Sequence, residues 1–282
     1  MTVLTTQMIG LRAAATSVGS RRLVTFLAEA YRHFSEIALN FGGRVIPATD
    51  QDLSILWEGA KAGNSVNQAC QAAWSLGQRS RELRQSLVSR YGIEINPRTS
   101  VVTDIPVFQD RCSARASSGI QLSEMRRWAQ LLQRANTQFE TQILVDETTA
   151  TLAAEEFEFC EVDYLTRDEE GLLQQRKVIE ETGLDWDRVP DLLGSPQGIS
   201  ELLGPRGKVA PGRLGSAMAF RGAMELYRQG ERKKAASVFE LLATDSYRGR
   251  LARIYMNHCE QGNPCSEKAL GDQEGAGAAK PA

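Results

Sequence analysis

Apolar residues recur in the first part of the chain with the two periods that are typical of strands and helices. Residues Thr2–Ile9 form a short, β-branched apolar run, which predicts a buried strand. Between Leu23 and Phe41 the apolar positions recur every three or four residues, which predicts an amphipathic helix that the glycine pair at 42 and 43 ends. Residues 44–46 and 53–57 predict a hairpin, because a polar turn that contains proline separates them.

The middle of the chain continues the mixture of helices and strands. Residues 66–90 place apolar side chains at helical spacing, and residues 93–96 and 100–103 are typical of strands. The small and polar residues 110–119 predict a loop. A further amphipathic helix is predicted over residues 123–136.

Ser123 is predicted as the N-cap of the helix over residues 123–136, and Glu124 as a carboxylate in its first turn, where the helix dipole favours negative charge. Further strands are predicted over residues 143–145, 157–166 and 172–180, and a short helix over residues 147–154.

The composition changes after Gly183. Prolines and glycines concentrate in the following stretch, which predicts a linker, and three helices with the small-and-aromatic spacing of a tetratricopeptide-like pair come after it. One such repeat is too small to be stable alone, so we expect it to pack on the main domain or on a partner protein. The predicted parts are a main domain, a linker, a helical appendage and a disordered tail, over residues 1–183, 184–215, 216–262 and 263–282.

Charge and composition exclude several classes of protein. The 282 residues carry a net charge of -2, whereas nucleic-acid and membrane-surface binders usually have a basic excess. No apolar run approaches about 18 residues, so the sequence predicts a cytoplasmic protein. A strand that begins almost at Met1 leaves open an upstream membrane or sensor region, through which any membrane contact would come.

The cysteines and histidines predict neither a disulfide framework nor a zinc site. The five cysteines are odd in number and form no CxxC pair, so free thiols are favoured over a bond between Cys259 and Cys265. His33 and His258 are the only histidines, and His33 is predicted to lie on the surface of the first long helix.

Three stretches together resemble the class III adenylyl/guanylyl cyclase domain. Residues 2–11, TVLTTQMIGL, are similar to the first strand of that family. Residues 42–45, GGRV, with residues 50–53, DQDL, are similar to its hairpin, and residues 143–149, ILVDETT, to its late strand and short helix. The resemblance covers residues 1–183 and implies an α+β fold, with a ferredoxin-like mixed or antiparallel sheet and helices packed on it.

The resemblance also implies where the site of such a domain would lie, and this sequence departs from the family there. The family holds two divalent metals with two aspartates, recognises the base through two further side chains, and stabilises the transition state with an Asn-x-x-x-Arg pair. In this chain Gln7 and Gln51 occupy the two metal positions. Pro47 and Glu124 occupy the two base-recognising positions, and Arg127 and Leu131 occupy the transition-state positions.

The substitutions predict a non-catalytic relative of the family, with no metal and no cofactor, which works through homodimerisation and through a protein partner of the helical appendage. One alternative is a diverged cyclase that uses Asp50 or Asp52 as metal ligands. Such an enzyme would hold the triphosphate with the arginine cluster Arg126, Arg127 and Arg134, although an exposed basic helix face is favoured for these three. A second alternative is a sensor that binds nucleotide without chemistry.

Overall fold

A computed structural model describes residues 1–46, 52–59, 62–91, 96–104, 114–165 and 197–261. The chain divides into two compact units. The first combines Met1–Glu161 with Ile199–Leu214, and the second combines Val162–Gly198 with Gly215–Ala282.

Strands and helices alternate through the first unit and helices dominate the second. The strands are β1 (Thr2–Ile9), β2 (Arg44–Ile46), β3 (Asp52–Trp57), β4 (Asn96–Thr103), β5 (Ile143–Asp146), β6 (Phe157–Leu165) and β7 (Gln197–Pro205). The helices are α1 (Leu11–Val18), α2 (Ser20–Asn40), α3 (Ala62–Tyr91), α4 (Ala114–Phe139), α5 (Glu147–Leu152), α6 (Pro211–Arg228), α7 (Arg232–Leu242) and α8 (Gly249–Gln261).

The strands form one seven-stranded sheet in the order β2-β3-β1-β4-β5-β7-β6. Strand β1 is central and pairs antiparallel with β3 on one side and with β4 on the other. Strands β4 and β5 are parallel, and β5 and β7 are antiparallel. The sheet is therefore mixed and mostly antiparallel, as the predicted α+β fold requires.

One face of the sheet carries the main apolar core. Leu4 lies opposite Ile55 on β3 and Val101 on β4, and these three fully buried residues form what we call the central row. Phe34 of α2 and Leu76 of α3 belong to the same core cluster. Because side chains alternate along a strand, every second residue of β1 from Leu4 points towards these two helices.

Helix α4 packs on the opposite face through polar contacts. Ser100 Oγ donates a hydrogen bond to the carbonyl of Ala129 at 3.0 Å, and Asn136 Nδ2 donates to the carbonyl of Thr99 at 2.8 Å. Ser100 and Asn136 are both buried, so these bonds satisfy polar groups that water does not reach.

Two glycines shape the hairpin that follows α2. Gly42 has φ +76°, the left-handed conformation that commonly ends a helix, as the sequence predicted. A Cβ atom on Gly43 would lie 2.6 Å from side-chain atoms of both Ile55 and Trp57, so only glycine allows β2 to approach β3 this closely.

The second unit has its own aromatic core. Phe220 of α6, Phe239 of α7 and Tyr255 of α8 have ring centroids between 5.6 and 5.8 Å apart. The Tyr255 hydroxyl donates to the carbonyl of Val162 at 2.9 Å, so this buried phenol is also satisfied. The three helices are those that the sequence predicted for the appendage, with α6 beginning five residues earlier, at Pro211 instead of residue 216.

Three predictions about α4 are wrong. The helix begins at Ala114, so residues 114–119 are helical although a loop was predicted over residues 110–119. For the same reason Ser123 is not an N-cap and Glu124 does not lie in the first helical turn. The serines and the glycine at residues 117–119 misled the prediction, because they are poor helix formers, whereas the alanines and arginine at residues 114–116 are good ones.

The predicted linker contains a strand. Residues 197–205, placed in the linker, form β7 and lie inside the sheet between β5 and β6. Seven consecutive residues of β7 are buried, although this segment contains two glycines and a proline. The predicted strand over residues 172–180 lies outside the described residues.

Candidate functional site

Three polar residues lie opposite one another where β1 ends. Gln7 faces Asp52 on β3 and Arg98 on β4, and we call these three residues the terminal row. All three are partly exposed, in contrast to the fully buried central row. Directly opposed residues of antiparallel strands have Cα atoms about 4.5–5.5 Å apart, so the three side chains start close together.

Arg98 brings a positive charge to this end of the sheet. Its Nη1 donates a hydrogen bond to the carbonyl of Thr141, on the β5 side of β4. Burial lowers the pKa of Arg98, while the carboxylates of Glu140 and Glu201 act in the opposite direction. The importance of Arg98 was not predicted from the sequence, since it depends on the register between β1 and β4.

Asp52 supplies the only carboxylate of the terminal row. Burial raises the pKa of Tyr31 on α2 to about 12, and the negative charge of Asp52 adds to this effect. Tyr31 is therefore a neutral phenol at physiological pH, and the Asp52 carboxylate lies within its electrostatic reach. Of the two aspartates that the sequence offered as shifted metal ligands, Asp52 is the one that faces Gln7.

The three predicted positions on α4 share one side of that helix. Glu124, Arg127 and Leu131 follow one another at spacings of three and four residues, and all three are partly buried. Glu124 and Arg127 come before Ala129 in α4, and Ala129 contacts Ser100 on β4. The part of α4 that lies near the terminal row comes after Ala129 and includes Thr137, which lies beside Arg98. A single chain therefore keeps these two residues on the side of Ala129 that faces away from Gln7.

The remaining predicted site residues cannot be placed. Pro47, Asp50 and Gln51 lie outside the described residues, and so does the turn between β2 and β3. Within the described ranges, no group of three or more histidine, cysteine, aspartate or glutamate side chains is arranged to hold a metal ion. Arg126 is partly buried and Arg134 is exposed on α4.

A buried carboxylate that the sequence did not single out lies at the end of β5. Asp146 is the N-cap of α5, and its Oδ1 accepts hydrogen bonds from the backbone N–H groups of Thr149 at 3.0 Å and Thr103 at 3.3 Å. Burial raises the pKa of Asp146 to about 6, although these bonds favour the charged form. The side chain joins β4, β5 and α5, so its role is structural.

Two further observations concern a buried thiol and the length of the helices. Cys70 is a fully buried free cysteine, and burial raises the pKa of its thiol. Among the helices in the described ranges, none is long and apolar enough to cross a bilayer.

Comparisons with known proteins find similar structures but no similar sequences. No protein-family model matches this sequence, and no curated protein matches it. The crystal structure of the adenylyl cyclase CyaB from P. aeruginosa is similar, with a TM-score of 0.50 and 12% sequence identity, over 74% of this chain and 96% of that chain.

Two guanylyl cyclase structures are also similar. The guanylyl cyclase Cya2 has a TM-score of 0.49 and 12% identity, over 73% of this chain and 93% of that chain. The dimeric guanylyl cyclase domain of the RhoGC fusion protein from the aquatic fungus Blastocladiella emersonii has a TM-score of 0.45 and 12% identity, over 73% of this chain and 96% of that chain.

The identity is too low for a comparison with CyaB to show more than the fold. The mixed, mostly antiparallel sheet of this chain and the helices packed on it nevertheless match the fold of that neighbour. The chain therefore has the fold of the class III adenylyl and guanylyl cyclase domains.

Proposed function

We propose that this chain is a non-catalytic member of the class III cyclase group that acts in signalling or assembly by association with other chains. The observation that carries the proposal is the terminal row, in which an amide, Gln7, occupies the β1 position and faces Asp52 and Arg98. Gln51, one residue before β3, is a second amide where the family has an aspartate.

The chemistry of nucleotide cyclisation explains why these substitutions matter. A ribose hydroxyl attacks the α-phosphate, and divalent cations lower the pKa of that hydroxyl and neutralise the triphosphate. Magnesium prefers hard, anionic oxygen ligands. Two glutamines offer only neutral carbonyl oxygens, and the guanidinium of Arg98 adds a positive charge at the same end of the sheet.

The proposal includes a homodimer and a protein partner. Sites of this family form between two subunits, and the separation of Arg127 from the Gln7 end of one chain supports the same arrangement here. The three helices of the second unit pack on one another through an aromatic core, and the proposal assigns the protein partner to these helices. Sedimentation that shows only monomer at tens of micromolar protein would count against the dimer.

The test of the missing activity is direct. The full chain is incubated with ATP or GTP and manganese, and cyclic nucleotide is measured by chromatography; we expect none above the blank. The matched control is the double variant Gln7→Asp/Gln51→Asp, assayed identically. Cyclic nucleotide formed by the unaltered chain in proportion to protein concentration would refute the proposal.

One observation favours a second candidate, a diverged cyclase. Asp52 faces Gln7 directly, so a single carboxylate is available at the terminal row. If the chain does make cyclic nucleotide, Asp52→Asn should abolish turnover while leaving the fold intact. Turnover that survives this substitution would exclude Asp52 as the metal ligand.

A further inference from the structure

Helix α2 carries two exposed apolar side chains that lie along one side of the helix. Val24 is 63% exposed and Leu39 is 58% exposed. Between them, Ala28 is exposed and Ser35 is partly exposed. At about 100° of rotation per residue, these four positions lie within an arc of about 60° around the helix axis. We call these four residues the α2 stripe.

The α2 stripe has the same pattern from either end. Four residues separate Val24 from Ala28, and four separate Ser35 from Leu39, so each end has a large apolar residue followed by a small one. A two-fold dimer brings the same surface of two copies together, so that surface must complement itself. If two copies of α2 lie antiparallel, with the two-fold axis between residues 31 and 32, Val24 of each copy faces Leu39 of the other. In the same arrangement Ala28 faces Ser35.

The middle of the α2 stripe can be covered without the loss of a hydrogen bond. Ser35 Oγ donates to the carbonyl of Tyr31 at 2.8 Å, so this hydroxyl has its acceptor within the helix. Small side chains at the two central positions also allow two helix axes to approach to about 8 Å, the lower end of the usual range. A second helix on the stripe would therefore bury apolar surface and leave the Ser35 hydroxyl satisfied.

The charges of α2 favour the antiparallel orientation. Its first turn contains no acidic residue and its last turn contains no basic residue, so no side chain of α2 compensates its own helix dipole. Arg21 lies in the first turn, on the same side as Leu39. Antiparallel pairing brings Arg21 to the C-terminal end of the other α2, where the dipole favours a cation. Arg32 lies near the two-fold axis, but it is paired with Glu36 at 2.6 Å, which reduces the repulsion between the two copies.

The α2 stripe is separate from the positions at which the cyclase family builds its sites. Helix α2 packs on the sheet face that carries Leu4. Gln7 is three residues after Leu4 on β1, so it points to the opposite face, on which α4 packs with Glu124 and Arg127. Contact through α2 therefore leaves the family positions uncovered.

We propose that the α2 stripe binds the α2 stripe of a second copy of this chain, in antiparallel orientation. This interface does not rest on the proposed loss of cyclase activity, and it differs from the homodimer of the family. If both interfaces form, two-fold contacts on two surfaces of each chain join more than two chains into one assembly. One helix pair is smaller than a standard interface, so we expect association at protein concentrations on the order of tens of micromolar.

The test of the orientation is disulfide cross-linking of the full chain under mild oxidation. The double variant Ala28→Cys/Ser35→Cys places one thiol opposite another on both sides of the axis, so we expect a covalent dimer on a non-reducing gel. Each single variant should give no more dimer than the unaltered chain, which keeps its five cysteines and serves as the blank. In antiparallel pairing each position is offset from its own copy by about 10 Å along the axis. No dimer above the blank in the double variant, or equal dimer in the single variants, would overturn the proposal.

Sedimentation velocity provides a second readout. Leu39→Glu places a carboxylate opposite Val24 at both ends of the interface, so the dissociation constant should rise about tenfold or more. The control is Met218→Glu on α6, where 64% of the side chain is exposed and association should not change. A Leu39→Glu chain that associates as strongly as the unaltered chain would overturn the α2 interface and leave the homodimer of the proposed function intact. Only monomer in the unaltered chain would contradict both.

Discussion

The central row and the terminal row lie on the same three strands, about three residues apart, and differ in every physical property. Leu4, Ile55 and Val101 are apolar and fully buried. The terminal row is polar, mixed in charge and partly exposed. The first kind of row contributes free energy to folding through burial, whereas the second contributes little to folding and can supply chemistry.

The difference explains how a fold can persist while its site changes. A metal-binding carboxylate near the end of a central strand can become an amide without loss of packing, because the central row and the helices packed on it are unaffected. We therefore expect substitutions in the two rows to have very different effects on stability, and the following predictions are ordered by the size of that effect.

The largest effect should come from the central row. Leu4→Ala removes a fully buried side chain from the core beneath α2 and α3, so it should lower the free energy of unfolding by about 2–5 kcal/mol. Urea denaturation measures this. The control is Leu39→Ala on α2, where 58% of the side chain is exposed and the change should stay within about 0.5 kcal/mol. Equal losses of unfolding free energy in Leu4→Ala and Leu39→Ala would show that burial in the central row does not determine the effect.

Asp146 shows what burial does to a carboxylate outside the terminal row. Its pKa rises from 3.8 to about 6, so the folded state binds its proton more tightly than the unfolded chain does. The contribution of Asp146 to stability is therefore complete below the pKa of the unfolded chain, 3.8. It decreases as the pH rises through the pKa of the folded state, about 6.

The variant Asp146→Asn keeps an acceptor for Thr149 and removes this titration. The difference in unfolding free energy between the two proteins should change by about 3 kcal/mol across that pH range. Denaturation at a series of pH values measures it, and a difference that does not depend on pH would contradict the burial argument.

Substitutions in the polar contacts between α4 and the sheet should have an intermediate effect on the free energy of unfolding. Asn136→Ala removes the hydrogen bond to Thr99 at 2.8 Å and the one accepted from Thr141 at 2.7 Å, both buried. Loss of about 1–3 kcal/mol is expected, because the remaining partners stay buried and unsatisfied. Thr137→Ala on the exposed side of the same helix is the control. A loss below the experimental error would mean that α4 does not depend on these bonds.

The smallest effect should come from the terminal row itself. Gln7→Ala removes a partly exposed side chain, so the free energy of unfolding should change by less than about 1 kcal/mol. Thermal and urea denaturation both measure this. A loss as large as that of Leu4→Ala would show that the terminal row supports the fold after all.

Local patterns predicted much of the fold. The apolar run of β1, the helical spacing of α2 and the glycine pair before β2 each describe their own segment, so the strand, the helix and the hairpin were all confirmed. Strand β7 was missed because its two glycines and its proline are typical of loops. Gly204 has φ +148°, and a Cβ atom added to it would lie 2.9 Å from the side chain of Trp74. A side chain therefore does not fit at this position.

The site was predictable only in part. The substitution at Gln7 is visible in the sequence, but its partners Asp52 and Arg98 follow from strand register, which non-local pairing determines.

A manganese titration tests the central claim most directly, because binding of the cation precedes any reaction. Free manganese is followed by electron paramagnetic resonance in the presence of the unaltered chain and of Gln7→Asp/Gln51→Asp. The account predicts no saturable binding by the unaltered chain up to millimolar manganese, and measurable binding by the double variant. Stoichiometric binding by the unaltered chain at micromolar manganese, lost in Asp52→Asn, would contradict it.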